Sequence, residues 1–280
     1  LADTSYLVLS GSTPDGVGDD QYKRYINLAR EYGVKSLPEI ECNEYGTPLL
    51  NSVFQQVKST ATYSLRCYVN SDIIFLSDLL PAIERIPFTK FLAIGQRTNL
   101  EIEDALEFSN TNWQTELSAL TKIKGQLYIK SGMDYFIYTK NSGLDELPPF
   151  VVGRPRWDNW FVFNARMLGL PVVDITRVCR AIHQNHDYYH IPHWSGNAWD
   201  GPETETNNRL FRKLLGGKKH LSTINDATYI LTNRFLLPAV SWHYLYQRLQ
   251  TTAVYKPIYR PLASFSKSVY KRLQAIKTSR

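Results

Sequence analysis

Short apolar runs alternate with amphipathic stretches from the start of the chain through residue 183. Tyr6-Leu7-Val8-Leu9 predicts a short buried strand that runs into a polar, Gly/Asp-rich loop. Tyr22, Tyr25, Ile26 and Ala29 then fall on one helical face, and Gly33 marks that helix's end. Thr47 and Pro48 suit the cap and first position of a second helix carrying Leu49, Leu50, Val53, Phe54 and Val57. The run Leu65-Arg66-Cys67-Tyr68-Val69 predicts a strand closed by Asn70-Ser71-Asp72. A short helix starts at Ser77-Asp78, with Asp78 as its cap. Strands follow at Phe91-Leu92-Ala93-Ile94 and Tyr135-Phe136-Ile137-Tyr138, with a polar, loop-rich segment over 98–125 and a helix near 113–120. Helix 159–168 stops at Gly169, and strand patterns recur at 172–173 and 178–182.

This alternation predicts an α/β fold, a mostly parallel central sheet flanked by helices. A core over 1–195, a helical or irregular closing segment over 196–240 and a basic, aromatic, helical extension over 241–280 are expected. At 280 residues the chain can bury a full core as one domain.

Composition sharpens the picture. Hydrophobic residues make up 43% and charged residues 21%, which favours a globular chain over a disordered one. No apolar run reaches the roughly 18–20 residues that span a bilayer. Leu1-Ala2-Asp3-Thr4 lacks the layout of a secretion signal, so a cytoplasmic location is expected, with peripheral membrane contact through the tail. Cys42, Cys67 and Cys179 are widely spaced and form no CxxC, which predicts buried free thiols rather than a zinc-thiolate site. Of the 32 Lys/Arg residues, eight lie in 241–280 with no acid among them. That leaves 24 bases against 26 acids, so the net +6 belongs to the tail.

The candidate chemistry lies in three separated segments. Asp72, at a predicted strand end where ligands of α/β sheets bind, offers hard oxygen ligands to Mg²⁺ or Mn²⁺. Asp158 opens a helix between Trp157 and Trp160, where its carboxylate could take a proton from an attacking hydroxyl while the indoles stack on a sugar. His183, His186, His190 and His193 recur closely, but there is no HExxH and Pro192 interrupts any helix aligning them, which favours one metal-ligand histidine, His183. Gly132 would allow a ligand close to the backbone, and Asp134 would bind a hydroxyl or pair with a base.

The phrases at 43–50 (NEYGTPLL), 68–72 (YVNSD), 131–136 (SGMDYF), 153–160 (GRPRWDNW) and 182–188 (IHQNHDY) together resemble glycosyltransferases of the GT-A fold, in a bacterial-type branch. The resemblance covers residues 5–235 and implies transfer of a sugar from a nucleoside diphosphate sugar to an acceptor hydroxyl on a glycan or lipid-linked acceptor. It implies that Asn70-Ser71-Asp72 stands at the Asp-x-Asp metal motif, with Asn70 replacing the first acid. Asp158 then matches the base of inverting members, and His183 the histidine at metal or diphosphate. Asn43, Gly46, Asn70, Asp72 and Arg97 are assigned to the donor, and Gly132, Met133, Asp134, Trp157 and Trp160 to the acceptor. The resemblance also implies a strand and helix upstream, so the core is expected to lack the usual first strand.

Two other readings stay open. One is a nucleotidyltransferase, against which the loop 10–18 counts, having glycines but no Lys or Arg. The other is a non-catalytic glycan- or membrane-binding relative. In the tail, tyrosines interleaved with bases suit an anionic membrane. They also suit nucleic acid in principle, but no nucleic-acid-binding motif accompanies them.

Overall fold

The computed structural model describes residues 6–8, 19–37, 40–185, 200–216, 221–240, 245–246, 249–250, 252–253 and 257–278. These form a mixed α/β structure with three sheets. Strands β1 (Tyr6–Val8) and β2 (Lys35–Leu37) pair in parallel as a two-stranded sheet, joined by helix α1 (Asp19–Glu31). Gly33 sits just past α1 at φ 67°, where only glycine is unstrained, and the chain turns into β2 there.

The central sheet has six strands: β3 (Leu65–Val69), β5 (Leu92–Ile94), β8 (Tyr135–Thr139), β9 (Val172–Asp174), β11 (Tyr229–Leu231) and β12 (Leu236–Pro238). Their spatial order is β12-β11-β9-β5-β8-β3. Pairs β5–β9 and β9–β11 are parallel, whereas β8 is antiparallel to both β3 and β5, and β12 to β11. The sheet is therefore mixed, not mostly parallel as expected. Strands β3, β5, β9 and β11 still share one direction, so their carboxyl ends lie along one edge. Strand β8 begins at that same edge, with Tyr135 opposite Val69.

A second sheet, of order β4-β10-β6-β7, is built from β4 (Ile73–Phe75), β6 (Arg97–Leu100), β7 (Gln126–Leu127) and β10 (Ala181–Gln184). Helices α2 (Leu50–Thr60), α3 (Leu79–Glu84), α4 (Trp113–Lys124), α5 (Trp157–Met167), α6 (Pro202–Leu214) and α7 (Arg260–Thr278) complete the fold. No described helix is long and apolar enough to cross a membrane.

Alternation along the central strands divides the core. Leu92, Ile94, Phe136, Tyr138 and Val172 pack toward Phe54 of α2, Phe161 of α5 and Phe211 of α6. Ala93, Tyr135, Ile137 and Val173 face the other way, toward α3 and Cys179 and Ala181. Ile182 and Leu100 meet Leu117 of α4 in a third cluster beyond that. Burial of this kind contributes about 25 cal/mol per Å² of apolar surface and holds the sheet edges in register.

Several local expectations change. Segment 98–125 contributes most of β6 as well as the expected helix, and 196–240 contributes β11 and β12 to the central sheet; the first had been expected to be loop-rich outside its helix and the second helical or irregular. Helix α2 begins at Leu50 with Leu49 as its N-cap, because Cys42 and Leu49 bridge to Pro48 and Val151 and keep Thr47 and Pro48 extended. Asp78 makes no capping hydrogen bond; its carboxylate accepts from the Arg180 backbone N–H at 3.2 Å and pairs with the Arg180 guanidinium at 3.3 Å. Of the three free cysteines only Cys179 is buried; Cys67 is exposed.

Candidate active site

Three loops meet at the carboxyl edge of the central sheet. Strand β3 ends at Val69, and the turn closes when the Ile73 N–H donates to the Asn70 carbonyl at 3.2 Å. Strand β4 then runs antiparallel to β10 with Ile73 opposite His183. The Gln184 N–H donates to the Asp72 carbonyl at 3.1 Å and extends that pairing by one residue. This register places His183 Nε2 3.2 Å from Asp72 Oδ2. The imidazole is buried and the carboxylate half-buried.

Asp134 stands at the entry to β8, beside Asn70. The Asn70 N–H donates to the Asp134 carbonyl at 2.9 Å, and the Asn70 amide donates to Asp134 Oδ1 at 2.9 Å. Arg97 Nη1 donates to the same oxygen at 2.8 Å, forming a buried ion pair. Arg97 is itself held by Asn99, whose Oδ1 accepts from Nε at 2.9 Å, and by the Tyr128 ring, 4.2 Å below its guanidinium. Gly132 makes room for that ring: a Cβ there would lie 2.2 Å from Tyr128 Cε1. Asp134 Oδ2 is buried with no hydrogen-bond partner.

Asp158 lies in the first turn of α5, two positions past its N-cap, Arg156. Arg156 has φ 90°, a conformation that is costly for a residue with a side chain. The buried Asn207 side chain holds the loop that imposes it. It accepts from the Val151 N–H at 2.8 Å and donates to the carbonyls of Val151, Arg154 and Pro155 at 3.1 to 3.3 Å. Arg156 is also tied to Asn208 through Nε at 2.8 Å. One Asp158 oxygen, Oδ1, is buried without a hydrogen-bond partner. Desolvation raises the Asp158 carboxyl to about 6 from an ordinary 3.8; the negative charge of Asp134 adds to the rise, and nearby backbone N–H groups oppose it.

Tyr68, near the end of β3, sits among these acids. Its hydroxyl is pushed upward by burial first, then by the charges of Asp134, Asp72 and Asp158. Asp134 is raised by burial and by Asp72, against the lowering pull of Arg97 and His183. These mutual influences bring the three acids and the histidine into one electrostatic neighbourhood. In the sequence Tyr68 is read as a strand residue opening the 68–72 phrase and is given no site role. The signal was its position, two residues before Asn70 on the strand face that meets α5, where its ring touches Trp157 at 4.7 Å.

Not every expected residue joins the cluster as assigned. Trp157 and Trp160 are only 5% and 8% exposed and pack against Tyr68, Phe136, Phe161 and Phe150, so their faces are taken up by the core and cannot form a sugar platform. Met133 is likewise in the core. The close approach at Gly132 is filled by Tyr128 rather than left open for a ligand. Asn43 forms a turn, its Oδ1 accepting from the N–H groups of Tyr45 and Thr47, and donates to Glu203 at 2.6 Å; Gly46 closes the turn at φ 78°. Glu203 in turn receives the Arg154 guanidinium. Asn43 and Gly46 therefore join α2's approach to α6. Asn70 and Arg97 reach the site, but both serve Asp134. His186, His190 and His193, like the loop 10–18, lie outside the described residues.

Asp72 and His183 form an ion pair whose spacing is also that of two ligands of one divalent cation. Two ligands about 2.1 Å from one ion at a right angle stand about 3 Å apart, close to the observed separation. Among the described residues, no group of three or more His, Cys, Asp or Glu side chains is arranged to hold a metal. A Mg²⁺ ion that shares its coordination with substrate phosphates is held by one or two carboxylates, of which Asp72 would supply one.

Comparisons with protein-family models, curated proteins and solved structures find no match to this chain.

Proposed function

We propose that the protein is a glycosyltransferase of GT-A-like architecture that moves a sugar from a nucleoside diphosphate sugar to an acceptor hydroxyl. The observation that carries this reading is the convergence of Asp72, Asp134, Asp158 and His183 around Tyr68 at the carboxyl edge of the sheet. The topology supports it: that edge is where α/β sheets bind ligands. Asp72 and His183 would hold a divalent cation, Mn²⁺ or Mg²⁺, whose charge would offset that of the departing diphosphate.

Asp158 acts as the base. A carboxylate with a pKa near 6 is ionised at neutral pH yet basic enough to take a proton usefully. The acceptor oxygen forms a bond to the anomeric carbon as the bond from that carbon to the diphosphate oxygen breaks. The hydroxyl proton ends on Asp158, and the bonding pair leaves with the diphosphate. Attack opposite the leaving group inverts the anomeric carbon. Arg97 and Asn70 hold Asp134 in place beside Tyr68, where its charge adds to that of Asp72 and Asp158.

The test is sugar-nucleotide turnover with Mn²⁺, after a thermal-shift panel of UDP-, GDP- and dTDP-sugars has picked the donor that raises the melting temperature. Asp72→Ala and Asp158→Ala are both expected to abolish turnover, and only Asp72→Ala to lose the Mn²⁺-dependent part of the shift. Equal rates in wild type and both variants would defeat the reading.

A further inference from the structure

We propose that helix α7 and the turn before it form a docking surface for an anionic lipid bilayer. Three observations converge on this surface, and none depends on the chemistry at the sheet edge. The first is exposed apolar surface. Ile258 is 82% exposed, Leu262 54% and Phe265 70%, in a stretch where burial would be the rule for such side chains. Leu262, Phe265 and the half-buried Val269 recur at the three- and four-residue spacing that aligns them on one face of α7.

The second observation is charge. Helix α7 carries Arg260, Lys267, Lys271 and Arg272 at exposed positions and contains no Asp or Glu. Spacings of seven and four place Arg260, Lys267 and Lys271 together, on the side opposite Leu262. The wider segment 241–280 holds eight Lys/Arg and no acid, while the rest of the chain is slightly acidic.

The third is how the helix is attached. Ala263 is buried and its carbonyl accepts from the Gln250 amide at 2.8 Å, while Tyr270 stacks on Tyr246 with ring centroids 4.5 Å apart. The helix is thus fixed through a third face, with the apolar and basic faces both turned outward. A basic polar face opposite an apolar face with Phe and Leu is the pattern of helices that lie in the lipid headgroup layer. Nucleic acid would satisfy the bases but leave Ile258, Leu262 and Phe265 in water, so a bilayer accounts for more of the surface. For a transferase this would bring the protein to a membrane that carries lipid-borne acceptors, but the docking stands whether or not turnover is found.

The full chain should be sedimented with vesicles of phosphatidylcholine alone and of phosphatidylcholine mixed with phosphatidylglycerol. Binding to the mixed vesicles only is expected, with loss at about 1 M salt, where charge interactions are screened within about 3 Å. Lys267→Glu with Lys271→Glu, and separately Leu262→Gln with Phe265→Gln, should each weaken it at least about tenfold with unchanged circular dichroism. Equal binding to both vesicle types, binding to neither, or indifference to salt and to both variants would overturn the proposal. Preferential capture by single-stranded DNA over the mixed vesicles would overturn it in favour of a nucleic-acid partner.

Discussion

Replacing Asp158 by Asn should make the protein more stable at neutral pH and catalytically inert. The wild-type carboxyl is held near 6 in the folded chain against an ordinary 3.8, so the fold binds its proton more tightly than the unfolded chain does. Between those values the native state carries more bound protons, and unfolding free energy falls as pH rises. The penalty is absent below about pH 4 and complete above about pH 6. At about 1.36 kcal/mol for each pH unit, the gap between 3.8 and about 6 corresponds to about 3 kcal/mol. Asn keeps the shape and an acceptor oxygen but carries no charge to desolvate. Urea unfolding of both proteins at about pH 4 and about pH 7.5 should therefore show a stability gain for the variant that grows from near zero to about 3 kcal/mol. Turnover by wild type should rise with pH through about 6, and Asp158→Asn should lose about 10²- to 10⁴-fold. A stability difference that is the same at both pH values would refute the desolvation argument. Full turnover by the variant would remove Asp158 as the base.

Four further perturbations test the framework. Arg97→Met leaves the Asp134 carboxylate buried without its cation and should cost about 3–5 kcal/mol in denaturant titrations, most of it recovered on adding Asp134→Asn; no recovery would show that the loss is of packing rather than charge. Asp145→Ala strips the buried Arg66 guanidinium and the Tyr138 hydroxyl of their shared acceptor and should destabilise by a similar 3–5 kcal/mol, measured the same way. Tyr135→Phe removes a fully buried hydroxyl that has no hydrogen-bond partner and should stabilise by about 1 kcal/mol. It should also rescue Gly95→Ala, whose Cβ would lie 2.1 Å from that oxygen; failure to rescue would place the clash at the Thr176 backbone instead. Gly132→Ala should push Tyr128 from beneath Arg97 and cost about 1 kcal/mol, with a larger effect on turnover than on melting temperature if Arg97 positions Asp134; an effect on melting alone would count against that role.

What could be read from the sequence was what local pattern encodes. The runs that became β3, β5, β8 and β9 are apolar on both faces or alternate cleanly, so period and composition announced them. Strands β6 and β11 were missed because Arg97-Thr98-Asn99-Leu100 and Tyr229-Ile230-Leu231 are too short or too polar to stand out, and pairing with β10 and β9 makes them strands. The antiparallel insertion of β8 is also a tertiary choice, since connection lengths alone leave the direction open. Asp72 and Asp158 stood out in the sequence because each sits at an element boundary, and His183 because its apolar run turns polar there, although it lies inside β10. The two tryptophans were misread for a physical reason. Flanking an acid at a helix start looks the same in sequence whether the rings face a cleft or the sheet, and here α5 turns both inward. Arg97 and Asn70 had been assigned to the donor; their bonds to Asp134 depend on β6 and β8 meeting the end of β3.

The cost of this edge is itself an argument about its use. A stable sheet end would place apolar or solvated residues where Tyr68, Asp134 and Asp158 stand. Instead, Asp134 and Asp158 each bury a carboxylate oxygen without a hydrogen-bond partner, and both carboxyls are raised chiefly by desolvation. The chain also holds Arg156 at φ 90° to launch the helix that carries Asp158, and a fully buried asparagine to keep it there. Local strain, unfilled acceptors and mutually repelling acids all work against folding, and they coincide within one neighbourhood rather than being scattered. A substrate that brings a cation would relieve the repulsion among the acids. Binding should then stabilise the wild type more than Asp158→Asn, because the variant has already shed part of the burden that the substrate would remove.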